Sequence, residues 1–159
     1  MKQAQINRGG APVALLEELP RLESAVVMYL RLWCDSPEGQ AQVWQDFHGF
    51  FGGKTAHMHM RAFEELLSAI LKHSRRPLQR HQLRCSCVGG DENAFANFVV
   101  AAALGEREDA ILLASNFMRA DMAMLAVNMA EPVGLALSQM VLRGPLSLPF
   151  NQTISPTKH

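Results

Sequence analysis

Residues 55–72, TAHMHMRAFEELLSAILK, carry the clearest helical pattern in the chain and decide its fold class. Apolar side chains recur there at spacings of three and four, which places them on one face of an α-helix; they are Phe63, Leu66, Leu67, Ile70 and Leu71. The opposite face is polar and consists of Arg61, Glu64, Glu65, Ser68 and Lys72. Thr55 can cap the first turn. The stretch therefore predicts an amphipathic helix that buries one side against a core.

The same spacing of apolar residues, three or four positions apart, extends over most of the remaining sequence. It predicts further helices at 20–34, 37–51 and 92–104, bounded by proline, serine or glycine signals. After residue 110 little of the helix circumference is left for water, which favours a central position or a subunit interface. Pro132 is expected to begin the last helix, because proline suits a first helical turn. The sequence thus predicts an all-α protein, a bundle of five to seven helices.

The ends of the chain and one internal connection differ from this pattern. Residues 1–12 are polar and rich in glycine, so a flexible N-terminal arm is expected there. A single helical domain is predicted for 13–144, and the prolines of 145–159 predict a flexible C-terminal tail. Residues 76–90 form an irregular connection, in which Leu83–Val88 alternates weakly and could be a short extended piece, a loop or a helical turn.

The overall charge of the chain argues against polyanionic partners. Lysine plus arginine and aspartate plus glutamate number 15 each, so no long-range field would gather nucleic acid or anionic lipid. The halves differ, however, because residues 1–90 carry 11 basic and 8 acidic groups, whereas 91–159 carry 4 and 7. Opposite signs of this kind could complement each other within the fold or across a symmetric dimer.

The cysteine content and the N-terminus predict a cytoplasmic protein without a membrane span. Cys34, Cys85 and Cys87 are too few for a disulfide framework, and neighbours one residue apart seldom reach bridging geometry. The first ten residues lack the apolar run of a signal peptide, and no uncharged stretch reaches the roughly 20 residues that cross a bilayer.

The tetrapeptide Gly89-Gly90-Asp91-Glu92 resembles the signature of diguanylate cyclases, whose motif continues with an aromatic residue. Asn93 takes that place here. In that family the motif lies in a hairpin between strands, with a second acidic metal-binding motif far upstream, whereas here it leads into a helical pattern. We therefore interpret it as a glycine turn in which Asp91 caps the following helix.

A possible metal site is formed by His81, Cys85 and Cys87. Thiolate and imidazole are the ligands that zinc prefers, and a structural zinc site needs four of them. Cys-Ser-Cys is closer than the usual spacing of paired zinc cysteines, and His57 and His59 point to different sides of a helix. Cysteines are also common small core residues. Zinc is the only cofactor that the sequence suggests.

The sequence leaves two functional hypotheses of different kinds. The charge-poor, methionine-rich helices predict an interaction or regulatory module that forms a homodimer or docks a protein partner. The alternative is a small-ligand or metal-binding protein that uses the 76–92 loop, with Arg76, Arg80, Asp91 and Glu92 as ligand-binding residues. No catalytic triad, phosphate-binding loop or dinucleotide motif is legible, so whether the chain is an enzyme stays open.

Overall fold

The computed structural model describes residues 8–143, which fold into six α-helices and one two-stranded antiparallel sheet. The helices are α1 (Arg21–Asp35), α2 (Pro37–Phe51), α3 (Gly53–His73), α4 (Gly90–Ala103), α5 (Arg107–Ala114) and α6 (Ala120–Arg143). The strands are β1 (Pro12–Leu15) and β2 (Cys87–Gly89). The prediction of an all-α bundle of five to seven helices is confirmed.

Helix α1 is the central element of one shared hydrophobic core. All eight residues from Ala25 to Leu32 are buried, so α1 meets neighbours on nearly every side, chiefly α2 and α4. A tight corner links α1 to α2, where Ser36 Oγ accepts the amide of Gly39 at 3.0 Å and Pro37 occupies the first turn. Both features are the helix-start signals expected from the sequence.

The second half of the chain closes the bundle. Helix α4 packs against both α5 and α6, and α6 also packs along α3. Phe95, Phe98 and Phe117 form a buried aromatic cluster at this junction, with ring centroids 5.5–6.2 Å apart. Edge-to-face rings at such distances add to the stabilisation from burial.

The connection between α3 and α4 is irregular, as predicted, and ends in β2. Strand β2 pairs with β1 in antiparallel register, with Leu15 opposite Cys87 and Ala14 opposite Val88. Residues 8–12, which the sequence assigns to a flexible arm, instead form a 3-10 turn and enter β1. The arm residues 1–7 and the tail 145–159 lie outside the described residues.

The expectation that Pro132 begins the last helix is wrong, because α6 runs unbroken from Ala120 to Arg143. Proline has no amide hydrogen, so the helix lacks the bond from position 132 to the carbonyl of Asn128. Pro132 lies on the exposed side, while Ala130 and Val133 beside it are buried in the core. Burial on both sides of the proline keeps the segment helical.

Candidate functional site

The polar centre of the molecule is a buried ion pair between α1 and α4. Arg31 Nε lies 2.8 Å from Glu92 Oε1, and Arg31 Nη2 lies 2.9 Å from Glu92 Oε2. Both side chains have no exposed surface. The guanidinium also donates to the carbonyls of Cys85 and Cys87, each at 2.7 Å. Arg31 therefore fixes the end of the irregular connection to the central helix.

Glu92 receives four donors, which leaves its carboxylate no free acceptor site. Besides Arg31, the amide of His81 donates at 2.8 Å and that of Gly89 at 3.0 Å. Burial by itself would raise the pKa of Glu92, but these hydrogen bonds to the charged form outweigh it and hold the pKa below its ordinary value. Glu92 is thus an ionised structural group inside the fold.

Asp91 forms a second ion pair at the edge of the first. Its carboxylate accepts Arg76 Nη1 at 2.7 Å and Arg76 Nη2 at 2.8 Å, together with the amide of Gln79 at 2.8 Å. The expected helix cap by Asp91 is wrong, because Gly89 occupies the cap position and Asp91 lies in the first turn of α4. Gly9 packs so closely that a Cβ there would stand 2.3 Å from the Asp91 carboxylate.

The four residues predicted to bind a ligand are thus engaged within the protein. Arg76 pairs with Asp91, Glu92 pairs with Arg31, and Arg80 donates to the carbonyl of Cys34 at 2.7 Å. The structure brings Arg76, Asp91 and Glu92 together but uses their hydrogen-bonding groups to hold the 76–92 loop. Each of the four residues therefore has a structural role in holding the loop.

The irregular connection also places the side chains of His81 and Cys85 together. His81 Nδ1 lies 3.3 Å from Cys85 Sγ, and His81 Nε2 lies 2.7 Å from the carbonyl oxygen of Gly10. A carbonyl only accepts hydrogen bonds, so Nε2 carries a hydrogen and Nδ1 is the nitrogen that can take a proton from the thiol. Both residues are partly exposed.

These contacts change the acidity of both side chains. The hydrogen bond between His81 and the sulfur of Cys85 lowers the pKa of the Cys85 thiol, with further help from the Cys87 amide and the charge of Arg31. The same bond raises the pKa of His81. Burial raises the pKa of Cys34 instead, although the charge of Arg80 opposes it. Cys85 and Cys34 are therefore opposite cases, because the pKa of the first thiol is lowered and that of the second is raised.

The predicted zinc ligands do not assemble into a metal site in the described part of the chain. His81 and Cys85 meet, but within residues 8–143 no group of three or more histidine, cysteine or acidic side chains is placed to hold a metal ion. His57 and His59 instead contact aromatic rings of α2, with centroids 5.9 Å from Trp44 and 4.2 Å from Phe51 respectively. A structural zinc ion needs four ligands, so this pair alone does not supply one.

A second candidate site is an apolar ridge along α6, formed by Met124, Leu135 and Leu142. Their exposed fractions are 63%, 46% and 83%. Spacings of 11 and 7 residues place the three side chains within about 20° of one line, which extends about 27 Å. By length and mean hydropathy, 1.3, α6 could cross a membrane, but half of its most apolar 18-residue window is buried within the bundle.

Sequence reasoning missed Arg31, the residue that organises the polar centre. Arginine within a helical pattern is ordinarily a solvated residue. The available signal was position, because Arg31 lies between Leu30 and Leu32 at the end of the longest apolar run of α1. A single charge in such a run indicates a buried partner.

Comparisons with known proteins identified no relative. No protein family matches the sequence, and neither curated proteins nor solved structures gave a significant match.

Proposed function

We propose that this chain is a helical interaction module that forms a homodimer through the α6 ridge. The observation that carries the proposal is the line of Met124, Leu135 and Leu142, three large apolar side chains that are exposed on one side of α6 with the exposed Glu131 between the first two. Exposed apolar patches of a folded domain mark surfaces that meet another molecule. The interaction is the function, and the ion pairs of Asp91 and Glu92 hold the 76–92 loop to the bundle.

A second copy of the same chain fits this ridge better in antiparallel orientation. Asp121 lies at the start of α6, where it also pairs with Arg119 at 2.7 Å, and Arg143 lies at the end; both are exposed. Antiparallel packing of two α6 helices would bring each of these charges near its opposite on the other copy. It also aligns the two helix dipoles favourably. A twofold dimer of this kind is the commonest symmetric assembly.

The size of the ridge limits how strongly two copies can associate. A strip about 27 Å long on a helix about 10–12 Å wide buries only a few hundred Å² per copy. Stable dimers bury about 800 Å² per partner. The dimer is therefore expected to be weak, so that the measured mass depends on protein concentration.

Leu135→Lys is expected to convert the dimer to a monomer. In a twofold interface every substitution occurs twice, so two desolvated ammonium groups would be introduced into the ridge. We expect the dissociation constant to rise at least about tenfold, which corresponds to roughly 1.4 kcal/mol. Light scattering over a concentration series measures this, with 17.6 kDa as the mass of the monomer.

Leu71→Lys is the matched control. Leu71 lies on α3 and is 49% exposed, against 46% for Leu135, so both substitutions remove similar apolar surface. Only the α6 substitution should change the mass. A parent protein that stays monomeric at hundreds of micromolar would contradict the proposal, and so would equal effects of the two substitutions.

A further inference from the structure

We infer that Cys85 is a nucleophilic thiol, with His81 as its proton acceptor, that reacts with negatively charged low-molecular-weight disulfides. This site is separate from the α6 ridge and does not depend on dimerisation. It rests on the 3.3 Å contact between His81 Nδ1 and Cys85 Sγ and on the partial exposure of both residues.

The surroundings of His81 fix it in the orientation that a proton acceptor needs. Its Nε2–H donates to the carbonyl of Gly10, which leaves the lone pair of Nδ1 directed at the thiol. Its own backbone amide donates to Glu92, which fixes the backbone that carries the ring. A base oriented by a second hydrogen bond is the arrangement that activates a weak nucleophile.

The thiolate that results is stabilised by groups that do not depend on His81. The backbone amide of Cys87 and the buried charge of Arg31 both lower the pKa of the Cys85 thiol. Reactive cysteines in proteins lie in positively charged, partly exposed surroundings of this kind. Cys34 is the internal contrast, because burial disfavours its ionised form.

The charge of the loop selects the class of disulfide. Arg75, Arg80 and Arg84 are exposed, and Arg84 immediately precedes Cys85. Asp91 and Glu92, the acidic residues of the 76–92 loop, are already paired with Arg76 and Arg31. Glu17 and Glu18 are exposed on the turn whose Leu16 amide donates to the carbonyl of Ser86, so they oppose this charge. Because Arg84 is the residue next to the thiol, we expect an anionic disulfide such as oxidised glutathione to be favoured modestly over a cationic one such as cystamine.

The reaction is a thiol–disulfide exchange that needs no further reagent. The Cys85 proton passes to His81 Nδ1, and the thiolate attacks one sulfur of the disulfide. A bond forms between Cys85 Sγ and that sulfur while the original sulfur–sulfur bond breaks, and the other half leaves as a thiolate that takes up the proton. The products are a mixed disulfide on Cys85 and one small thiol.

The test is the rate at which oxidised glutathione modifies each cysteine of the full chain at pH 7. Mass spectrometry of peptides resolves Cys34, Cys85 and Cys87 in one sample. Cys85 is expected to react at least tenfold faster than Cys34, because the gain in thiolate outweighs the lower nucleophilicity of a more acidic thiol. Cystamine should react more slowly than oxidised glutathione, and added salt should reduce the difference.

Two variants separate the role of His81 from a general effect of the loop. His81→Gln keeps an amide that can donate to Gly10 but removes the proton acceptor, so the Cys85 rate should fall about tenfold. Ser86→Ala changes an exposed side chain of the same loop, beside Cys85, and should leave the rate unchanged. If His81→Gln does not fold, the ratio of Cys85 to Cys34 in the parent protein decides the question.

Three results would overturn the inference. The first is a Cys85 rate no greater than that of Cys34 in the folded parent. The second is a folded His81→Gln protein with an undiminished Cys85 rate. The third is a Cys85 that reacts only after a chelator has been added, which would show that a metal ion occupies the thiol.

Discussion

Arg31→Met is expected to lower the free energy of unfolding by about 3–5 kcal/mol, because it leaves the Glu92 carboxylate buried without its counter-charge. The substitution also removes the donors to the carbonyls of Cys85 and Cys87. Small domains are stable by about 5–15 kcal/mol, so this loss is a large part of the whole. Urea denaturation, followed by the shift of its midpoint, measures the effect.

The double variant Arg31→Met/Glu92→Gln distinguishes the cost of an unpaired buried charge from the cost of lost packing. Glutamine keeps the shape of Glu92 and an oxygen that can accept from the amides of His81 or Gly89, but it carries no charge. We expect the double variant to lose clearly less stability than the two single variants added together. If the stability loss of the double variant equals the sum of the two single losses within about 0.5 kcal/mol, the two side chains act independently, contrary to their contact.

Arg61→Met is the control for removing an arginine from an ion pair. Arg61 and Glu65 lie 3.8 Å apart on the surface of α3, with exposed fractions of 68% and 61%. Exposed pairs of this spacing contribute only about 0.3–0.5 kcal/mol, so the midpoint should barely move. An Arg31→Met effect as small as this would mean that the ion pair does not organise the fold.

Lowering the pH should reveal how much the charge of Glu92 contributes to the stability of the fold. Its pKa is lower in the folded protein than its ordinary value, so its stabilising effect is complete above the ordinary pKa and is lost as the pH falls through the folded one. The parent is therefore expected to lose more stability between neutral and acidic pH than the double variant, which lacks this carboxylate. Urea denaturation of both proteins at several pH values checks this. If their free energies of unfolding fall in parallel with pH, the prediction is contradicted.

The helices could be predicted because their signals are local. The α2 bounds 37–51 agree with the structure, since Ser36, Pro37 and Gly52 each act within one turn of their own position. Pro132 was misleading for a related reason. Whether a proline starts a helix or lies inside one depends on packing partners far along the chain, and the sequence pattern does not contain them.

The polar centre could be predicted only in part, because its contacts join distant residues. Glu92 and His81 were singled out from one loop, but Glu92 pairs with Arg31, 61 positions away, and His81 bonds to Gly10, 71 positions away. The loop residues looked like candidate ligands because their partners were not visible in the sequence. Once the partners are known, the same residues explain how an irregular segment is held in place.

The glycines of α2 lead to the last prediction, because two residues of one type in one helix should respond oppositely to alanine. Gly39 is buried at the corner with α1, where an added Cβ would stand 2.1 Å from the backbone oxygen of Leu32. A backbone atom cannot move aside as a flexible side chain does, so α1 and α2 would have to separate. We expect Gly39→Ala to destabilise the protein by about 3 kcal/mol or more, at the upper end of overpacking effects.

Gly49→Ala is the matched control and should increase stability. Gly49 is exposed, and a Cβ there would meet no atom within 4 Å. Replacing such a helical glycine by alanine reduces the freedom of the unfolded chain and stabilises by about 0.5–1 kcal/mol. Urea midpoints of the two variants should therefore move in opposite directions from the parent. If Gly39→Ala were as stable as Gly49→Ala, the close approach of α1 and α2 would be refuted, and with it the packing of the helix that carries Arg31.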